Sequence, residues 1–119
     1  MSRKKLDILV VGAGHAGTEA ALVASKLKCS VGIITMDKNA IGRMSCNPAI
    51  GGLAKGQIVR EIDMLGGAMA RISDLCALQI KTLNKKKGRA VWSPRAQVDK
   101  RKYEKQIKKT LAKSNVKII

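Results

Sequence analysis

The sequence predicts an α/β fold with a parallel sheet, of the Rossmann-like kind that binds dinucleotides. Three observations lead to it. An apolar run, Leu6 and Ile8 to Val11, leads straight into a glycine turn. Gly12, Gly14 and Gly17 then stand at G-x-G-x-x-G spacing, followed by a strongly helical segment, Thr18–Leu27. A second apolar segment, Val31–Met36, completes a strand–turn–helix–strand unit, which places the two strands parallel. At 119 residues the chain has room for one small domain.

The opening strand is rich in β-branched residues and reads as one buried on both faces of the sheet. In the turn, Gly12 permits the sharp exit from the strand. Gly14 lets a pyrophosphate approach the backbone, and Gly17 lets the helix lie close to the sheet. The amides and the positive dipole end of the helix then face the phosphates. The alternative is a purely structural glycine turn. At the end of the second strand, where such folds offer an acid to the ribose, this chain has Thr35, with Asp37 two residues on.

Ile41–Gly56 is too rich in glycine for ordinary secondary structure, and Pro48 disfavours a helical Asn47. Gly51, Gly52 and Gly56 allow positive φ or close contact with a ligand. Ile58, Ile62 and Leu65 are spaced for a helix from about Lys55 to Leu65, whose N-terminus would be a second anion-facing end. Gly66-Gly67 stops it. A further helix over Ala68–Leu75 and a strand over Ala77–Leu83 follow. Lys85–Gln97 reads as a basic turn region. Ser93-Pro94 reads as the start of a long helix to about Lys113, on which Tyr103, Ile107 and Leu111 share one face. Val116–Ile119 reads as a last strand.

The net charge of +16 is uneven: residues 81–119 carry +12 of it and residues 1–80 carry +4. A basic end of this strength attracts phosphate-rich partners, or is a solvated helix face. With one Trp, one Tyr and no Phe, stacking on single-stranded bases is not encoded. No apolar run is long enough to span a bilayer, and no signal-peptide pattern precedes the first strand, so no membrane association is expected. Cys29, Cys46 and Cys76, an odd number without paired spacing, fit a reducing, cytoplasmic setting. One histidine and scattered cysteines offer no metal-ligand set.

Among candidate chemical groups, Cys46 sits in a glycine-rich loop ahead of a predicted helix, where a helix end would favour the thiolate. It reads as a nucleophile or redox thiol, or as a small residue in a tight loop. His15 lies inside the phosphate turn, as a spacer or a proton-transfer group. Lys85, Lys86, Lys87, Arg89 and Arg95 are suited to phosphates or to solvent. Trp92 would cover a planar ring or plug the core.

The block CNPAIGGLAKGQIVREIDMLGG (Cys46–Gly67) resembles the signature of the MnmG family, also called GidA. The resemblance extends over GAGHAGTEAA (Gly12–Ala21) and GRAVWSPRAQVDK (Gly88–Lys100), and so covers nearly the whole chain in order. It implies the FAD-binding part of a flavoenzyme that takes electrons from NADH. With an MnmE-type GTPase partner, such an enzyme adds a (carboxymethyl)aminomethyl group at C5 of the wobble uridine of tRNA. It further implies a homodimer within a heterotetramer at full length. The family's FAD-phosphate loop falls on Gly12, Ala13, Gly14, His15, Ala16 and Gly17, and its cysteine on Cys46. The chain departs from the family in reading GAG for GGG, in having Arg89 where Pro is expected, and above all in length. Residues 1–119 are therefore expected to be an N-terminal part of an FAD-binding domain. Two other functions compete: an FAD- or NAD-dependent oxidoreductase acting on a small molecule, and a non-catalytic basic RNA-binding fragment.

Overall fold

The computed structural model describes residues 5–119. Its elements are, in order, β1 (Ile8–Val11), α1 (His15–Lys26), β2 (Val31–Ile34), β3 (Ala49–Gly51), α2 (Lys55–Met64), α3 (Met69–Cys76), β4 (Ala77–Leu83), β5 (Ser93–Val98), α4 (Lys100–Lys113) and β6 (Val116–Ile118). They divide into two compact units. One comprises the chain up to Arg43 together with Glu104–Ile119, and the other Met44–Tyr103.

The first unit holds the predicted parallel sheet, in the order β1-β2-β6. Ile8 pairs with Val31 and Val11 with Ile34, while Val31 pairs with Val116 and Ile33 with Ile118 on the other side. The core of this unit is aliphatic: Ala21, Leu22, Val31, Ile33, Ile41, Ile107 and Leu111 are all buried. Ile107 lies so close to Gly42 that a Cβ there would meet its side chain at 2.8 Å.

The opening strand differs from expectation. Rather than being buried on both faces, β1 exposes Ile8, Leu9 and Val11, the last at 81 %. It is an edge strand of the sheet, and α1 packs along one face only. On the other face Leu6, Leu9 and Ile119 gather around Gly32, where a Cβ would meet the tips of all three side chains.

The second unit contains a sheet that the sequence did not announce: antiparallel, in the order β3-β5-β4. Two segments differ from expectation. Ile41–Gly56 contains β3, whose Ala49 and Gly51 pair with Gln97 and Arg95. Ser93–Val98 is a strand rather than the first turns of a helix. Proline's fixed φ and missing N–H suit a strand start as well as a helix start, and here Pro94 pairs with Thr82. The helix begins later, at Lys100, where the Asp99 carboxylate accepts from the Lys102 amide at 3.0 Å. Gly51 (φ +115°) and Gly52 (φ +88°) owe their identity to the strand pairing. A Cβ on Gly51 would run into the Pro94 carbonyl oxygen, which itself accepts from the Gly52 amide at 2.9 Å. The core of this unit includes Met44, Ile50, Val59, Met69, Ile72, Cys76, Val98 and Tyr103.

Candidate functional site

In the first unit the backbone leaves β1 at Gly12, which has φ +98° and donates its amide to Ile34 at 2.8 Å. Helix α1 starts earlier than its apolar pattern indicates, at His15, with Gly14 as its N-cap. No side chain caps this end, so the backbone amides of the first turn and the positive end of the dipole are presented outward.

Three glycines do three different things. A Cβ on Gly17 would collide with the carbonyl oxygen of Gly12, so this glycine lets helix and strand end touch. Gly12 needs its positive φ. A Cβ on Gly14 would meet nothing within 4 Å, and its φ of −75° is open to any residue. The fold therefore asks of position 14 only a tolerable N-cap, whereas an incoming group would ask for the missing Cβ.

Thr18 fixes the turn from beneath. It is buried, and its hydroxyl lies 2.9 Å from the Gly14 carbonyl oxygen and 3.0 Å from that of His15. Spacing rules pass over it, because they weigh only the glycines. A hydroxyl one residue after the third glycine, on the helix face that packs inward, is the signal that finds it.

The turn opens on a cleft of about 600 Å³ within this unit, lined by Val11, Gly12, Ala13, Gly14, Ile34, Thr35, Met36, Asp37 and Ala40. The sequence-derived residues Gly12, Ala13 and Gly14 thus share one cleft with Thr35 and Asp37. His15, Ala16 and Gly17 form the first turn of α1 beside it. The Asp37 carboxylate accepts from the Asn39 amide at 2.8 Å and lies 3.7 Å from Arg43. The Thr35 hydroxyl accepts from the Asp37 amide at 3.4 Å. A carboxylate held this way keeps lone pairs for further donors, which suits it to a ribose hydroxyl.

Cys46 belongs to the second unit. It is exposed, and the Ser45 hydroxyl lies 3.9 Å from its sulfur. It does not stand at a helix start, since β3 separates it in sequence from α2. The helix end invoked to favour its thiolate is therefore not adjacent to it in the chain. Nor does α2 offer the expected open anion site, because its Lys55 and Gly56 amides donate to the carbonyls of Leu53 and Gly52.

The remaining candidates separate. Cys76 is buried, and burial pushes its thiol above the ordinary range. Trp92 is not a core plug. It is 45 % exposed, donates from Nε1 to the Lys85 carbonyl at 3.2 Å, and carries the Arg89 guanidinium over its ring at 5.8 Å. Lys85, Lys86 and Lys87 are exposed on a 3₁₀ turn. Arg95 lies on β5, in a separate small cavity with Gln79, Lys81, Leu83 and Gln97.

Comparison with known proteins agrees with this fold. The family described as glucose inhibited division protein A matches residues 7–119. The tRNA uridine 5-carboxymethylaminomethyl modification enzyme MnmG of Bacteroides thetaiotaomicron is 60% identical over 99 residues, which are 83% of this chain and 16% of that protein. The enzyme of the same description from Rhodopirellula baltica is 52% identical over 107 residues, again 16% of its length. The form II crystal structure of Aquifex aeolicus GidA superposes on 100% of this chain with a TM-score of 0.93 and 47% identity, using 20% of that chain. The chain thus spans between 16% and 20% of the length of these relatives.

Proposed function

The chain belongs to the MnmG (GidA) family, and on that premise we propose that it is the FAD-binding part of a tRNA-modifying flavoenzyme. The observation that carries the proposal is the uncapped start of α1 together with the open space at Gly14. They border a cleft that ends at Thr35 and Asp37. Amides of the Gly12–Gly17 turn would hold the FAD diphosphate, and Asp37 with Thr35 would receive the adenosine ribose. Bound flavin would supply the redox chemistry, with NADH as electron donor.

The whole enzyme would act with an MnmE-type GTPase partner, as a homodimer within a heterotetramer in the cytoplasm. It would install a (carboxymethyl)aminomethyl group at C5 of the wobble uridine. In this reading Cys46 is the nucleophile: its thiolate adds to C6 of the pyrimidine and activates C5. The 119-residue chain alone would bind FAD weakly and be inactive, because the edge strand β1 leaves the nucleotide only partly enclosed.

The test is FAD affinity at equilibrium, read by quenching of flavin fluorescence as the chain is titrated in. Wild-type chain should quench saturably and Gly14→Val should not, with circular dichroism showing the variant folded. Equal quenching by the two proteins would refute the assignment of the loop. A full-length enzyme carrying Cys46→Ser should keep its flavin and lose uridine modification.

A further inference from the structure

We infer that the solvent face of α4 is a docking surface for the phosphate backbone of RNA, holding the strand by charge without reading its bases. The identity of the polyanion rests on the tRNA-directed function proposed above. The surface itself rests on the helix. Tyr103, Ile107 and Leu111 are buried, and they define the inner row of α4. On the opposite side Arg101, Lys105, Lys109 and Lys113 follow one another at every fourth residue, with Lys102 beside them, and all five are exposed. Successive members of the row are about 6 Å apart along the axis, and the row spans roughly 18 Å.

No acid interrupts this face. Glu104, the only acidic residue in the helix, lies next to the buried row and is half-buried. Among the described residues no carboxylate is paired with Arg101, Lys102, Lys105, Lys109 or Lys113. Lys108 is engaged differently, donating to the Asn39 carbonyl at 2.7 Å.

Two features make the arrangement unfavourable for the helix by itself. Like charges four residues apart repel, and the row contains three such neighbouring pairs. Lys100, Arg101 and Lys102 also crowd the first turn, where the dipole is already positive and which contains no acid. Asp99, as the cap, offsets part of this. A polyanion laid along the helix relieves both penalties together. The face has no aromatic side chain, so it supplies affinity and position rather than base specificity.

The test is fluorescence anisotropy of the full 119-residue chain with an unmodified tRNA and with an unrelated RNA hairpin, over roughly 50 to 300 mM salt. Replacing Arg101, Lys102, Lys105 and Lys109 by Gln should reduce the slope of log K against log salt by about 3, equally for both RNAs. Removing four charges at Lys81, Lys85, Lys86 and Lys87 should change the slope by less. Exchanging Lys for Arg at 102, 105 and 109 should preserve it. RNA should raise the melting temperature of the wild type more than that of the α4 variant, and circular dichroism shows that each variant is folded. Should the fourfold variant not fold, Lys105→Gln with Lys109→Gln should give half the change in slope.

An unchanged slope in the α4 variant, no RNA binding even at the lowest salt, or an equal loss in the loop variant would overturn the inference. So would tighter binding to phosphatidylglycerol vesicles than to RNA at matched phosphate. Failure of the tRNA-directed function shows separately, as a full-length enzyme that leaves the wobble uridine unmodified while this salt slope persists.

Discussion

At Gly14 and Gly17 the same residue type serves opposite ends, and substitution separates them. Gly17→Ala drives a methyl into the Gly12 carbonyl. It should destabilise the chain by about 1–3 kcal/mol, measured as a lower urea midpoint at constant m. Gly14→Val meets no protein atom at its Cβ, so it should cost only the loss of a glycine N-cap, about 1 kcal/mol or less, while removing flavin. Thr18→Val keeps the shape but removes a hydroxyl that lies against two turn carbonyls. About 1 kcal/mol of stability should go with it, and flavin retention should weaken. Cys76 gives a prediction in pH. Burial raises its thiol pKa, the Asp99 charge adds to this and Lys102 opposes it. The folded state thus favours the protonated thiol. That contribution is whole below the unfolded thiol's pKa and is lost as pH rises through the higher folded value. Melting temperature should therefore fall more steeply above about pH 8.5 in the wild type than in Cys76→Ala. In native protein, a thiol reagent should label exposed Cys46 readily and Cys76 only after unfolding.

Elements were legible where a single period dominated. Tyr103, Ile107 and Leu111 repeat every fourth residue with little competing signal, and all three are buried. Leu111→Ala should cost about 2–5 kcal/mol by thermal or urea unfolding. The strand expected near Ala77–Leu83 is present there. Ser93–Val98 was misread because Ser-Pro is compatible with two structures, and the deciding contact is remote: Gly52 donating to the Pro94 carbonyl. Only the pairing with β3 and β4 makes this segment a strand. The exposure of β1 was equally hidden. A run of β-branched residues states that a strand is apolar, not how many neighbours it has. The glycine turn after β1 was readable because its constraint is local, and the strand end at Thr35 and Asp37 because a fixed count from Gly12 reaches it; the parallel register brings the two into one cleft. Cys46 was legible as an oddity of sequence. Its helix end was not, because β3 is three residues long and carries no periodic signal.

For the whole molecule, charge and exposed apolar surface pull in opposite directions. A net charge of +16 keeps copies apart and also strains the compact state. Ile8, Leu9, Val11 and Ile34 meanwhile stand exposed on the sheet of the first unit. Added salt should therefore raise the melting temperature and, through the unpaired β1 edge, increase self-association at high concentration. Light scattering that stays flat from low to high salt would contradict this.

The chain order of the two units has a kinetic consequence. Met44–Tyr103 interrupts the sequence of the other unit, whose sheet is closed by β6 at residues 116–118. On the ribosome β1, α1 and β2 emerge early, yet the parallel partner of Val31 is Val116. The first unit must therefore wait, with Ile33 and Leu22 lacking Ile107 and Leu111, until the segment from Glu104 to Ile118 has been made. Its closure depends on contacts far apart in sequence, which makes it the slow step of folding.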